Sequence, residues 1–187
     1  MDAPGTGSRR LQGSSYVDDT GAADPALAAA LASYGDAPDA ADGYPAVLAA
    51  LAGARVLVPV VAVVGEVEHD ERGLARDKTS DMATVLLTGA DGRLALLAFS
   101  STASLARWDP QARPVPVAAA LAAATAVQEG AAALLVDVAG PQRFVVDDTD
   151  VHRLAAGWRP ARLPDGGWAW LGSAAEPGNS DEAEQIQ

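Results

Sequence analysis

The stretch Met82-Ala83-Thr84-Val85-Leu86-Leu87-Thr88-Gly89-Ala90-Asp91-Gly92-Arg93-Leu94-Ala95-Leu96-Leu97-Ala98-Phe99 decides the fold. Two apolar, β-prone runs, 82–88 and 93–99, flank Gly89-Ala90-Asp91-Gly92, whose glycines supply the positive φ that a hairpin turn demands. Upstream, residues 55–65 form a β-branched run interrupted by Pro59, which cannot donate a ladder hydrogen bond and so predicts an edge position or a bulge. Three antiparallel strands are the economical reading.

Working outward, Asp24-Pro25 reads as an N-cap followed by proline at the first helical position, with Leu27, Ala30, Leu31 and Tyr34 on one face. Tyr44, Val47, Leu48 and Leu51 repeat the spacing before Gly53. Downstream, Ser100 or Ser101 caps a short helix through Trp108, ended by Asp109-Pro110. A Pro-Val-Pro connector leads to an alanine-rich helix over 118–129 and a buried strand over 133–138. Residues 143–146 pair back on it, Asp148 or Thr149 caps a last helix, and Trp168-Ala169-Trp170-Leu171 supplies an optional terminal strand. The order ααβββααββα, with that optional C-terminal β strand, predicts an α/β (α+β) single domain: a mixed, largely antiparallel sheet with flanking helices. Composition places the folded unit at 22–172, between disordered polar tails at 1–21 and 173–187, the latter acidic.

The 187 residues carry a net charge of −12, with one lysine, Lys78, beside twelve arginines, and no cysteine. Such charge repels phosphate backbones and anionic bilayers, so neither nucleic acid nor membrane is an expected partner. Absent cysteine removes disulfide, thiolate and Cys-rich zinc chemistry and fits a reducing compartment. No apolar run reaches membrane-spanning length and the first 21 residues lack a secretory pattern, so a cytoplasmic location is expected.

The densest polar cluster, Glu66-Val67-Glu68-His69-Asp70-Glu71, could ligate a cation but reads better as a solvated loop. Asp147, Asp148 and Asp150 precede a helical segment and suit its dipole. Only His69 and His152 could work as acid or base near neutrality. Gly-x-Ser-x-Gly is absent, Lys78-Thr79 lacks the glycines of a phosphate loop, and no Gly-x-Gly-x-x-Gly follows a strand. No cofactor is therefore expected, and enzymatic function is the less favoured reading. Ser100 and Ser101 read as caps that could also receive an anion. Trp168 and Trp170 share a strand face and, with Trp108 and Trp158, read as core satellites rather than a partner patch.

Lys78-Thr79-Ser80-Asp81-Met82-Ala83, Gly89-Ala90-Asp91-Gly92-Arg93, Ala98-Phe99-Ser100-Ser101 with Leu105 and Trp108, Arg113-Pro114-Val115-Pro116-Val117, Ala133-Leu134-Leu135-Val136-Asp137 and Gly140-Pro141 together resemble the SseB family, named for enhanced serine sensitivity, in its actinobacterial form. The resemblance covers about residues 24–154 and implies an SseB N-terminal-type α/β domain, with no catalytic residues to transfer. Sulfurtransferase chemistry associated with the family name uses a cysteine this chain lacks. The resulting expectation is a non-enzymatic cytoplasmic interaction or regulatory module with a protein partner, able to oligomerise, whose surface runs through Asp81, Met82, Phe99, Ser100, Ser101 and Trp108. The alternative is a small-molecule or anion-binding protein, or an enzyme, linked to amino-acid metabolism.

Overall fold

In the computed structural model, which describes residues 16, 18–63 and 81–172, two helices open the chain. Asp24 caps α1 (Pro25–Asp36), accepting the Ala26 and Leu27 N–H groups at 2.9 and 3.0 Å. Leu27 and Leu31 turn inward, and α2 (Gly43–Gly53) buries Val47, Leu48 and Leu51, as the apolar spacing predicts. Asp42 stands at the α2 N-cap but makes no side-chain cap; its carboxylate is engaged elsewhere.

Next come β1 (Arg55–Val63), β2 (Asp81–Thr84), β3 (Leu86–Thr88) and β4 (Leu94–Ala98). The hairpin turn forms where expected, with Gly92 at φ +80° but Gly89 not at positive φ, and the Gly89 N–H donates to the Arg93 carbonyl at 2.8 Å. Its outer strand, however, is broken at Val85. Residues 81–84 pair with β1, whereas 86–88 pair with β4. Alternation of apolar residues is blind to such a change of partner.

The chain continues through α3 (Thr102–Trp108), β5 (Arg113–Ala118), α4 (Ala119–Gln128), β6 (Ala133–Val136), β7 (Phe144–Asp147), α5 (Asp148–Ala155), β8 (Arg159–Arg162) and β9 (Trp168–Leu171). The expected Pro-Val-Pro connector is in fact strand β5, paired with β1. Leu57 donates its N–H to the Phe99 carbonyl and accepts the Phe99 N–H at its own, both at 2.8 Å, so the backbone groups of Leu57 and, two residues along, Pro59 turn away from β5. Opposite them stand Pro116 and Pro114, at positions where the missing N–H interrupts no ladder bond. Pro59 itself lies in the middle strand of the order β2-β1-β5, not at an edge; it falls between the Phe99 bridge at Leu57 and the end of β2, where Thr84 pairs with Val60.

The second sheet has the order β3-β4-β6-β7, antiparallel except for the parallel pair β4–β6. One face, through Leu96, Ala98, Leu134, Val136, Phe144 and Val146, packs on α1, α2, α4 and α5. Four alanines of α4, Ala119, Ala122, Ala123 and Ala126, are wholly buried there; small side chains let the helix lie close. On the other face Leu97, Phe99 and Leu135 meet Leu57 and Leu105, with Trp108 stacked on Phe99 at 5.5 Å. The architecture is the mixed α+β domain that the patterning predicts.

The α5 N-cap is Asp147, not Asp148 or Thr149, and Asp148 and Asp150 lie in the first turn, where the helix dipole favours them. A hairpin, β8–β9, ends the described chain; β8 has no counterpart in the sequence reading. It clips to α2 through Asp42, which accepts the Trp168 indole N–H at 2.9 Å and pairs with Arg162 at 2.9 Å. Trp168 and Trp170 are half-buried and Trp158 is 41% exposed, so the four indoles form no single cluster. No helix among the described residues is long and apolar enough to cross a membrane. Residues 173–187, and 1–15 and 17 of the other expected tail, lie outside the described residues, as do Glu66 to Glu71 and Lys78-Thr79.

Candidate functional site

Because β4 and β6 run parallel, their carboxyl ends lie side by side, and the residues just beyond them meet. Asp137 donates its N–H to the Ala98 carbonyl at 3.0 Å, which carries the parallel ladder one step past β6. Its carboxylate then accepts twice from Ser100: the N–H to Oδ1 at 2.8 Å and the hydroxyl to Oδ2 at 2.6 Å. Ser100 is 6% exposed and Asp137 3%. A buried carboxylate needs such donors, because desolvation without them would cost several kcal/mol.

Asp137 has φ +52°, the only non-glycine residue with positive φ among those described. Aspartate tolerates the left-handed region better than most residues, yet the conformation is sparsely populated. Gly140 supports it. A Cβ there would come within 2.8 Å of the Asp137 Cβ, and the Gly140 N–H donates to the Asp137 carbonyl at 2.8 Å. Observed backbone strain at a strand end points towards function more than towards stability.

Arg55, at the start of β1, fixes the other side: its guanidinium donates to the Ser100 carbonyl at 3.0 Å, to Asp19 at 2.9 Å and to the Ala22 carbonyl. Ser101 caps α3, with Ser104 returning the bond in a reciprocal capping box. Thr102 N–H goes to the Gly21 carbonyl at 2.8 Å. Among the described residues these bonds leave Ala103 as the one N–H of the first turn without a partner, and α3 has only seven residues, so Ser100 and Ser101 serve here as a buried brace and a helix cap.

What opens beside the pair is a cleft of about 540 Å³ between α1, the start of α3 and the 137–142 turn. Ala28, Ala32 and Ala103 make small-residue walls, while Ser100, Ser104 and Asp137 lie at its floor. Asp36, Arg107 and Gln142 stand around it. Among the described residues neither Asp36 nor Arg107 has an ion-pair partner. A carboxylate offers about four lone-pair positions and Ser100 fills two, so Asp137 retains acceptor capacity. Clefts outside the carboxyl ends of parallel strands are where open α/β sheets place ligands.

The surface expected from sequence is not assembled. Phe99 is wholly buried in the second core cluster and presents nothing to a partner; its place one residue past a strand hid its inward direction. Trp108 is half-buried over it, while Ser100 and Ser101 line the cleft. Asp81 and Met82 pair with Val63 and Ala62, roughly 20 Å along β1 from the Leu57–Phe99 bridge at about 3.3 Å per residue. His152 is exposed on α5, 3.7 Å from Asp148, and is no part of the cleft. Among the described residues no three His, Asp or Glu side chains converge as a metal site requires.

The family model of the SseB protein N-terminal domain matches residues 27–153, from the first buried leucine of α1 into α5. The match takes in both strands and both residues of the Ser100–Asp137 pair and stops short of the β8–β9 hairpin. No curated protein matches the chain, and no solved structure does. With more than half of its length matched by that model, the chain belongs to the SseB family.

Proposed function

We propose that the chain is a non-catalytic regulatory module that binds a small polar molecule in the cleft between α1 and the ends of β4 and β6. The observation that carries this reading is Asp137: buried, held in the left-handed region, and braced by Ser100 with acceptor capacity to spare. A ligand would give an ammonium or hydroxyl group to that carboxylate and an acceptor group to Arg107, whose guanidinium has no ion-pair partner among the described residues. Binding rather than catalysis is favoured because the Ser100 hydroxyl proton is directed at Asp137 and, among the described residues, no imidazole lines the cleft.

A thermal-shift panel of amino acids, amines, polyols and phosphorylated metabolites tests the proposal. A cleft ligand at about 100 times its Kd should stabilise by roughly 2.7 kcal/mol, a rise in Tm of about 5–10 °C for a domain of this size. Asp137→Asn and Arg107→Ala should each remove the shift without lowering the unliganded Tm by more than a few degrees. A panel that moves nothing, or a shift that survives both substitutions, would overturn the reading.

A further inference from the structure

β7 is an outer strand of the four-stranded sheet, and among the described residues no strand pairs with its free edge. The ladder fixes which backbone groups lie on that edge. Asp147 sends its N–H to the Tyr44 hydroxyl at 3.4 Å and not to β6. Alternation along an antiparallel strand then turns Val145, two residues back, the same way, so its N–H and C=O point outward. Edge strands with open backbone groups pair with other chains unless something blunts them. On β5, by contrast, Pro114 and Pro116 remove two donors from the outer rim. β7 has no proline and no inward charge: Phe144 and Val146 are buried, while Val145 is 42% exposed.

The sequence of this edge is complementary to itself. Arg143, Val145 and Asp147 share the exposed side in the order cation, apolar residue, anion. Among the described residues neither Arg143 nor Asp147 has an ion-pair partner. An antiparallel two-fold axis through Val145 sets Val145 against its own copy, Arg143 against the copy's Asp147, and Asp147 against the copy's Arg143. Phe144 and Val146 then face one another's copies on the core side. A two-fold contact has to be self-complementary in this way, and a parallel pairing would set like charges together.

We propose that the protein self-associates through β7, two copies pairing antiparallel about Val145 so that the two four-stranded sheets become one of eight strands. The Val145 N–H and C=O groups close a reciprocal pair of hydrogen bonds across the axis, and two Arg143–Asp147 ion pairs flank them. The contact is small, so the dimer dissociates in the range of roughly 10–100 μM typical of weak interfaces.

Sedimentation equilibrium of the full chain over a concentration series tests this, with three variants at exposed positions. Wild type should pass from monomer to dimer mass as concentration rises. Val145→Lys, which sets two ammonium groups together on the axis, should weaken the dimer by up to about fivefold, as like charges opposite one another do. Arg143→Asp alone and Asp147→Arg alone should each be monomeric where wild type is dimeric. An equimolar mixture of those two should recover the dimer, because at both ends of the contact a carboxylate of the first variant then faces a guanidinium of the second; recovery also shows that both variants are folded. A wild-type chain that stays monomeric to roughly 1 mM, ten times the expected range, would overturn the proposal. So would a dimer whose mass is indifferent to Val145→Lys, or single charge variants that fail to pair when mixed.

Discussion

Replacing Asp137 with alanine, glycine and asparagine separates what its side chain holds from what its backbone stores. Alanine removes the acceptor for the Ser100 N–H, now buried without a partner at about 1–3 kcal/mol, and leaves the Ser100 hydroxyl unpaired beside it. It also places a Cβ without a compensating polar group at φ +52°, which costs about 1–2 kcal/mol. The sum is a loss of about 2–5 kcal/mol, a large part of the roughly 5–15 kcal/mol that a domain possesses. Glycine adopts the same φ without strain, so Asp137→Gly should be about 1 kcal/mol milder than alanine although it removes more atoms. Asparagine tolerates the left-handed region, keeps an oxygen for the Ser100 N–H, and can donate its amide to the serine oxygen; it should cost under about 1.5 kcal/mol. Urea unfolding followed by tryptophan fluorescence reads the order directly. With a slope of about 2 kcal/mol/M, alanine should lower the midpoint by roughly 1–2.5 M. An alanine variant as stable as the asparagine one, or a glycine variant below alanine, would refute the idea that both hydrogen bonds and backbone strain reside here.

Two other sites give independent expectations. Burial pushes the Tyr44 phenol well above its ordinary value of 10; the Asp147 N–H donated to its oxygen works against that, and the Asp150 carboxylate beside it adds to the rise. The folded chain therefore keeps a proton that the unfolded chain releases, so this contribution is whole below pH 10 and is lost as pH climbs above it. Tyr44→Phe should flatten the alkaline fall in stability measured by urea melts between about pH 9 and 11, and equal slopes in both proteins would contradict it. Asp42 is held below its usual range chiefly by the Trp168 indole N–H, with Arg162 assisting. Its contribution is present above its ordinary value of 3.8 and fades as pH falls through the lower folded value, so acid should loosen the β8–β9 hairpin. At neutral pH Asp42→Ala should speed amide exchange at Leu163 and Gly166 while leaving β4 and β6 protected; unchanged exchange in the hairpin would show that the clip to α2 is not what holds it.

Local chemistry was legible wherever its cause was local. The Asp24-Pro25 helix start, the Gly92 turn, the Ser101 cap and the inward faces of α1 and α2 follow from residues within one turn of each other. Errors fell where a strand's partner decides its role. Pro114 and Pro116 read as a break because proline cannot donate, and only the Leu57–Phe99 bridge tells that those positions had no bond to lose. The run 82–88 read as one strand because its apolar alternation continues through Val85, whereas the sheet it joins changes there. β8, Arg159-Pro160-Ala161-Arg162, shows no alternation beyond a buried Pro160, and the hairpin it forms with β9 is held to the domain by Asp42, 120 residues away from Arg162 and outside any local pattern.

The cleft was half legible for a related reason. Ser100 and Ser101 stand out as the polar break between a strand and a helix, but Asp137 read as the tail of a buried run, and nothing within 36 residues of Ser100 pointed to it. Their meeting depends on β4 and β6 running parallel, which brings residues 37 apart in sequence to the same end of adjacent strands. One signal was present: a carboxylate closing the apolar run Ala133-Leu134-Leu135-Val136, followed three residues later by Gly140. A strand that ends in aspartate and then needs glycine describes a turn whose backbone crowds the carboxylate, and the 2.8 Å approach at Gly140 is that crowding. The same turn passes through Gln142 into Arg143, so the wall of the cleft and the free edge of β7 are consecutive in the chain. A ligand that drew Arg107 and Gln142 together would act on the segment from which the proposed two-fold contact begins.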